Sequence, residues 1–313
     1  MEHTSVLLEE TIDLLRVKPD GIYVDGTLGR GGHSKEVLKR LTSGHLYAFD
    51  KDEAALKESA ENLSGYEGKF TLLRADFRNM KEVLKEQGIT RVDGVMMDLG
   101  VSSPQFDDPA RGFSYRFDSR LDMRMDQRET LSAWEVINEY SFQDLVRILR
   151  EYGEEPRAKQ IARAIEQARA VSPIDTTGQL TDVIRSALPE AVLRKKGHPA
   201  KQTFQAIRIE VNHELDALKE GLSDACSLLN PGGRCAVITF HSLEDRIVKN
   251  CFKTLSSAPF ADPKLPLKAS QMEQASFSLV TRHPVIAAKE EQDSNRRSHS
   301  AKLRVIERIK ETE

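Results

Sequence analysis

The chain has 313 residues, of which 39% are hydrophobic and 30% charged, with a formal net charge of −3; this balance fits a compact globular protein and excludes a disordered or fibrous one. No apolar run approaches the length of a membrane span, and the opening MEHTSVLLEE lacks the basic start and apolar stretch of a secretory leader, so a cytoplasmic protein is expected. The three cysteines, Cys226, Cys235 and Cys251, are odd in number and show no C-x-x-C spacing, which suits a reducing compartment and a structural role.

Strand-like and helix-like segments alternate through the first part of the chain, the signature of a parallel sheet with crossover helices. Strands are predicted at Ile22–Asp25, His45–Asp50, Phe70–Ala75 and Val92–Asp98. Between them lie helical patterns such as Val37, Leu38 and Leu41, then Ala55, Leu56, Ala60 and Leu63. This is the start of a doubly wound α/β fold.

After Pro104 strand signals vanish and helical ones continue to about residue 230, which predicts an inserted all-helical domain. Ser132-x-x-Glu135 and Ser141-x-x-Asp144 resemble capping boxes, and Gly153 can end the helix that carries Leu145, Ile148 and Leu149. Further faces follow: Ile161, Ala162, Ile165 and Ala168, then Leu180, Val183, Ile184 and Leu188, then one long helix from Phe204 to Leu229. Asn230-Pro231-Gly232-Gly233 reads as a turn and Arg234–Phe240 as a buried central strand. Residues 256–276, with three prolines, read as an exposed loop, and Phe277–Val280 and Ala301–Ile309 as a last strand pair. The expected organisation is residues 1–105, an insert at 106–200, and a return to the sheet at 201–313.

Charge is uneven along the chain. Residues 185–208 hold six basic side chains, among them Lys195 and Lys196, against Glu190 alone, and residues 282–310 hold eight against four acidic ones. Either stretch could grip phosphates or form a solvated face.

The segment VDGTLGRGGHS, residues 24–34, runs from a strand through glycines into a helix. Glycines there take positive φ and let a ligand approach the backbone, and the helix start offers free amides. Gly29-x-Gly31-Gly32-His33 lacks the third glycine of the dinucleotide fingerprint, so an adenosine-type cofactor other than NAD is favoured; His33 either contacts it or packs the helix start. Asp50 ends the second strand, where a carboxylate can accept both ribose hydroxyls, and Asp76-Phe77 end the third, where an acid or ring can meet an adenine. The fourth strand delivers Asp98 ahead of Leu99-Gly100-Val101-Ser102-Ser103-Pro104; the segment resembles the strand end at which amino methyltransferases present an acidic or amide residue followed by proline, and that resemblance implies an acceptor for the amine being methylated. No cysteine nucleophile lies near this loop, and the eight histidines show no metal-binding spacing, so no metal is expected. His241, Ser242, Asp245 and Arg246 after the fifth strand could line a substrate pocket or serve as cap and ion pair. The methionines of LDMRMDQ (121–127) could shape a base pocket or fill a core.

DGTLGRGGHS, DLGVSSPQ, RGFSYRFDSRLDMRMDQ, GEEPRAKQIARAI, HPAKQTFQAIRIEVNHEL, LNPGGR and ITFHSLEDRIVK together resemble the bacterial ribosomal small-subunit RNA (cytosine-N4)-methyltransferase family, the MraW methylases, over nearly the whole chain. The resemblance implies a class I (Rossmann-like) methyltransferase domain with a helical insert, using S-adenosyl-L-methionine to methylate one cytosine in the decoding region of small-subunit RNA within a structured particle. It would place the cofactor against Gly31, Gly32, His33, Asp50, Phe77, Asp98 and Gln105, with Asp98 catalytic. The family's tail pattern N-P-R-S-R-S-A-K-L-R is altered at two positions, Arg296 and His299. Competing readings are an NAD-dependent oxidoreductase and an RNA-binding assembly factor without turnover; intact Asp50 and Asp98 weigh against the second.

Overall fold

A computed structural model describes residues 5–194, 197–257 and 275–311. Lys195 and Lys196, and most of the expected loop at 256–276, lie outside the described residues. The chain divides into two compact units, Met1–Gly100 with Leu215–Glu313, and Val101–Glu214. The second unit therefore takes in residues 201–214 as well as the predicted insert.

The first unit is built on a seven-stranded sheet of order β3-β2-β1-β4-β5-β7-β6. Its strands are β1 (Ile22–Asp25), β2 (His45–Asp50), β3 (Phe70–Arg74), β4 (Val92–Asp98), β5 (Leu229–Thr239), β6 (Phe277–Leu279) and β7 (Lys302–Arg308). The first five run parallel, while β7 is antiparallel to both β5 and β6. The doubly wound sheet and its late strand pair are thus present. Around it lie α1 (Leu8–Leu15), α2 (Gly32–Arg40), α3 (Glu53–Asn62) and α4 (Met80–Glu86).

Alternation along the strands separates the two faces, as the two-residue period of a strand requires. Tyr23, Met96, Ala236 and Leu303 join Ile12, Leu15, Val37 and Leu38 in one core. Val24, Met97 and Val237 join Met80, Leu84, Leu222 and Val248 in another. All three cysteines pack in or against this second core, as structural thiols would. Asn230–Gly233 is a bulge within β5 rather than a turn before it, since the register with β4 jumps from Val92–Leu229 to Gly94–Arg234.

The second unit holds α5 (Ser103–Asp107), α6 (Ala133–Glu139), α7 (Phe142–Glu151), α8 (Ala158–Arg169), α9 (Thr177–Ser186), α10 (Glu190–Leu193) and α11 (Lys201–Asn212). They share one core that includes Leu145, Ile161, Ile165, Leu180 and Ile207. Leu121, Met123 and Met125 are buried in it, which settles the methionine-rich segment as core filler. The helix expected from Phe204 to Leu229 is two: α11 stops at Asn212 and α12 runs Glu214–Leu228. His213 between them adopts φ 50°. The break is made by tertiary bonds. Asn212 Nδ2 donates to the Met123 carbonyl, and its Oδ1 accepts the Met125 amide, each at 2.8 Å. The remaining helices are α13 (Ser242–Leu255) and α14 (Lys289–Ser294) in the first unit. Among the described residues no helix is long and apolar enough to cross a membrane.

Gly44, just before β2, tests this frame. A Cβ there would sit 2.2 Å from the Gly21 carbonyl oxygen and 2.9 Å from its nitrogen, both backbone atoms. Overpacking against fixed atoms typically costs about 1–3 kcal/mol, so Gly44→Ala should lower the urea-unfolding free energy by an amount at the upper end of that range. A change within about 0.5 kcal/mol would contradict the close approach.

Candidate functional site

In this strand order β1 is the switch point: the chain winds to one side through β2 and β3, then returns to β4 on the other. Ligands of such sheets bind at the carboxyl ends of the strands flanking this point. Asp25, Asp50 and Asp98 close β1, β2 and β4, so three carboxyls meet one crevice edge.

The glycine segment is tied down from both sides. Asp25 Oδ1 accepts the Thr27 amide (3.0 Å) and Oδ2 accepts the Ser34 hydroxyl (2.7 Å). Asp50 Oδ2 accepts the Gly29 amide and Oδ1 the Asp52 amide, both at 2.9 Å. The Asp98 amide in turn donates to the Thr27 hydroxyl at 2.6 Å. Gly29 and Gly31 hold φ values of 52° and 76°, a region that penalises any side chain with a Cβ. A Cβ on Gly29 would meet only the Thr27 carbonyl, at 3.9 Å, so open space lies beside the turn. Gly32 is close-packed for another reason, since Ser5 covers it.

His33 is buried and its Nε2 lies 3.1 Å from the Val6 carbonyl. A carbonyl only accepts, so Nε2 carries the proton and Nδ1 presents its lone pair. Burial lowers the ring to about 4, which keeps it neutral at physiological pH. Nδ1 faces Asp98 Oδ2 at 3.8 Å, too far for a hydrogen bond. His33 thus packs the helix start, with its Nδ1 turned toward Asp98.

Asp98 is the exceptional group. Its side chain is 31% exposed, yet Oδ1 is buried and, among the described residues, has no hydrogen-bond partner. Burial, then the charge of Asp25, pushes its carboxyl up to about 8, with Arg297 opposing and Glu244 adding to the rise. Asp25 and Asp50, also through burial, rise to about 6 and about 7. A carboxyl with an unused buried acceptor calls for a donor. Each Asp50 oxygen has spent one acceptor site on an amide and keeps another. The residues thus fit a ligand bringing hydroxyl or amine donors to Asp50 and Asp98 and contacting bare backbone at Gly29 to Gly31.

The other expected contacts are placed differently. Asp76 is engaged by the Arg78 amide (3.0 Å) and by Lys51 Nζ (3.3 Å), so its carboxylate is a local clamp. Phe77 is half-buried against the second sheet core, and a Cβ on Gly221 of α12 would lie 2.4 Å from its ring. Gln105 belongs to the helical unit, where its side chain accepts the Ser102 amide at 3.0 Å and completes a capping box. Among the residues left open, His241 caps α13 and Glu244 closes that box. Asp245 pairs with Arg304 (2.7 Å) and Lys302 (3.2 Å). Asp25, Thr27 and Arg297 are the site residues that sequence reasoning passed over. Asp25 was signalled by its place before the glycines, whereas nothing local signals Arg297.

The basic stretches also shrink on inspection. Besides Lys302 and Arg304, Arg308 is buried and spends its guanidinium on the carbonyls of Ser227 and Leu229, each at 3.0 Å. Arg208 pairs with Glu214 at 2.7 Å. The two altered tail positions, Arg296 and His299, are both exposed, and the turn beside them is held by the Ser298 amide and hydroxyl donating to the Asn295 carbonyl.

Residues 1–309 match the family model described as "MraW methylase family". A protein named ribosomal RNA small subunit methyltransferase H from Exiguobacterium sibiricum is 56% identical over 311 residues, 99% of each chain. Proteins of the same name from Limosilactobacillus fermentum and Lactiplantibacillus plantarum are 55% and 54% identical, covering 98% and 99% of this chain and 98% of each relative.

The raised carboxyls carry a consequence for stability. A group whose folded-state pKa exceeds its unfolded one stabilises the fold below the unfolded value, and that contribution disappears as pH rises through the folded one. For Asp98 the window runs from about pH 4 to about 8. Asp98→Asn should therefore gain melting temperature over the native protein as pH rises through this window, with no gain at pH 4. A difference that stays constant with pH would show that the carboxyl is not raised.

Proposed function

Because the chain belongs to the MraW methylase family and is an S-adenosylmethionine-dependent methyltransferase, we propose that it methylates the exocyclic N4 amine of a cytosine in small-subunit ribosomal RNA. The family resemblance points to the decoding region, and to a structured particle as substrate. The observation that carries the amine chemistry is the buried, unpartnered Oδ1 of Asp98 at the carboxyl end of β4.

S-adenosylmethionine, when bound, supplies an electrophilic methyl group on a positively charged sulfur. Asp50 would hold the ribose hydroxyls, and the backbone at Gly31, Gly32 and His33 would line the rest of the cofactor; Phe77 would support the adenine side. The N4 lone pair of cytosine is delocalised into the ring, so the amine is a poor nucleophile and its placement must do much of the work. Asp98 does this by accepting an N4–H bond, which turns the lone pair toward the incoming methyl. As the N–C bond forms, positive charge grows on N4, and an adjacent carboxylate stabilises it. The N4 proton then passes to Asp98, whose raised pKa makes it a competent base, and leaves through the exposed third of the side chain. Neutral His33 adds no competing positive charge. A carbon-methylating mechanism would need a cysteine nucleophile, and all three cysteines sit in or against the sheet core.

Cells lacking this gene should lose N4-methylated cytidine from small-subunit RNA, read by mass spectrometry of nucleosides; its retention would overturn the reaction. Asp50→Ala should weaken S-adenosylmethionine binding by about 1.5–3 kcal/mol, the range for hydrogen bonds to a charged group, which calorimetry would read as a rise of roughly ten- to a hundredfold in Kd. Since Asp98 works ionised, kcat/KM should climb with pH toward a plateau above about 8. Asp98→Asn should abolish most transfer at saturating cofactor and RNA and flatten this profile. A near-native rate in that variant would remove Asp98 from the mechanism.

A further inference from the structure

Several arginines of the helical unit are spent on internal partners. Arg124 and Arg128 bind Asp122 and Asp126 at 2.6 Å, and Arg147 binds Glu210 at 3.1 Å. Arg169 donates to the carbonyls of Ile137 and Tyr140, each at 2.6 Å. At one corner, cations without such partners gather in one hollow. Where α7 ends and α8 begins, a surface hollow is lined by Arg150, Pro156, Arg157, Lys159 and Gln160. No carboxylate lines it. Among the described residues, the side chains of Arg150, Arg157 and Lys159 make no ion pair or hydrogen bond.

Three like charges in one hollow repel, and in a chain of net charge −3 the shortage is not of acids to pair with them. The repulsion is relieved by an anion. Two guanidinium forks and an ammonium suit phosphate oxygens, which the forks can bind in pairs. The surface is also elongated. A second hollow shares Lys159 and Gln160 with the first and continues along α8 past Arg163, Ala164 and Gln167. The Arg163 guanidinium lies over the Phe142 ring, 4.5 Å from its centroid. Gln160, Ala164 and Gln167 are three and four residues apart and so share one helix face, beside the stripe that buries Ile161, Ala162 and Ile165. Twelve residues span about 18 Å, more than a single phosphate fills.

We infer that Arg150 and the outer face of α8 form a docking surface for the phosphate backbone of RNA. The surface lies outside both basic stretches of the sequence and gives the helical unit a defined grip on substrate. It rests on the reading that this enzyme acts on small-subunit RNA.

The test uses the full chain and small-subunit particles from cells lacking the gene, with binding measured across a salt series. Each phosphate contact contributes a slope of about 0.7–0.9 in log K against log salt. The triple variant R150A/R157A/K159A should therefore lose about two to three from the magnitude of the slope, and tenfold or more in affinity near 0.1 M salt. Its S-adenosylmethionine affinity and its turnover at saturating particle should be unchanged. R150K/R157K, which keeps the charge, should keep most of the slope. If the triple variant fails to fold, K159E alone should still lower affinity and slope. An unchanged slope overturns the surface, while methylation of the particle by the native enzyme, assayed alongside, reads the function separately. Weakened binding to the particle with undiminished binding to protein-free small-subunit RNA would put the contact on a ribosomal protein and also overturn the assignment.

Discussion

The site depends on carboxylates holding a glycine turn by its amides. Glycines 29 and 31 have no side chains to fix their positions, and positive φ values are entropically costly to hold. Asp25 and Asp50 supply the restraint from two neighbouring strands, receiving the Thr27 and Gly29 amides. Thr27 passes that restraint to a third strand through the Asp98 amide. One connected set of bonds thereby spaces three strand ends, and with them the places where a cofactor and an amine can be held.

The same arrangement costs stability. Burial works against ionising all three carboxyls, and Asp98 Oδ1 has no partner among the described residues. An amide there would serve folding better and chemistry worse, because it could take no proton from N4. Sites that keep polar atoms unsatisfied in the free protein and satisfied with ligand bound commonly give up stability for function. Arg297 moderates the cost by bringing positive charge toward Asp98 from the tail. This gives the tail a task beyond β7, and the two altered tail positions are exposed residues outside that task.

Much of this was legible in the sequence because the relevant rules are local. Strand ends fell within a residue or so at β1 to β4, since apolar runs there stop at Asp25, Asp50 and Asp98. The capping box at Ser132 and Glu135 formed as spelled. What escaped depends on distant partners. No glycine or proline marks the stop at Asn212, because the bonds that end α11 come from the 123–125 segment. Arg297 acts on Asp98 from across the sequence, and the carboxylate of Asp76, at a strand end like the others, was already spent on Lys51 and Arg78.

Charge shows the same limit in sharper form. Counting along the chain marks residues 282–310 as basic, yet Lys302, Arg304 and Arg308 are spent on Asp245 and on backbone carbonyls. The segment from Arg147 to Arg169 stands out less by charge, because four glutamates offset its six basic residues in part. Folding undoes that balance unevenly. Glu155 turns back on the Arg157 amide and Glu166 pairs with Arg163, so the acids are drawn off locally while Arg150, Arg157 and Lys159 are left together. Electrostatic attraction for a polyanion depends on cations that remain after internal pairing and on their common direction. Both are properties of the folded surface, so a chain slightly acidic in total can still present a phosphate-binding face.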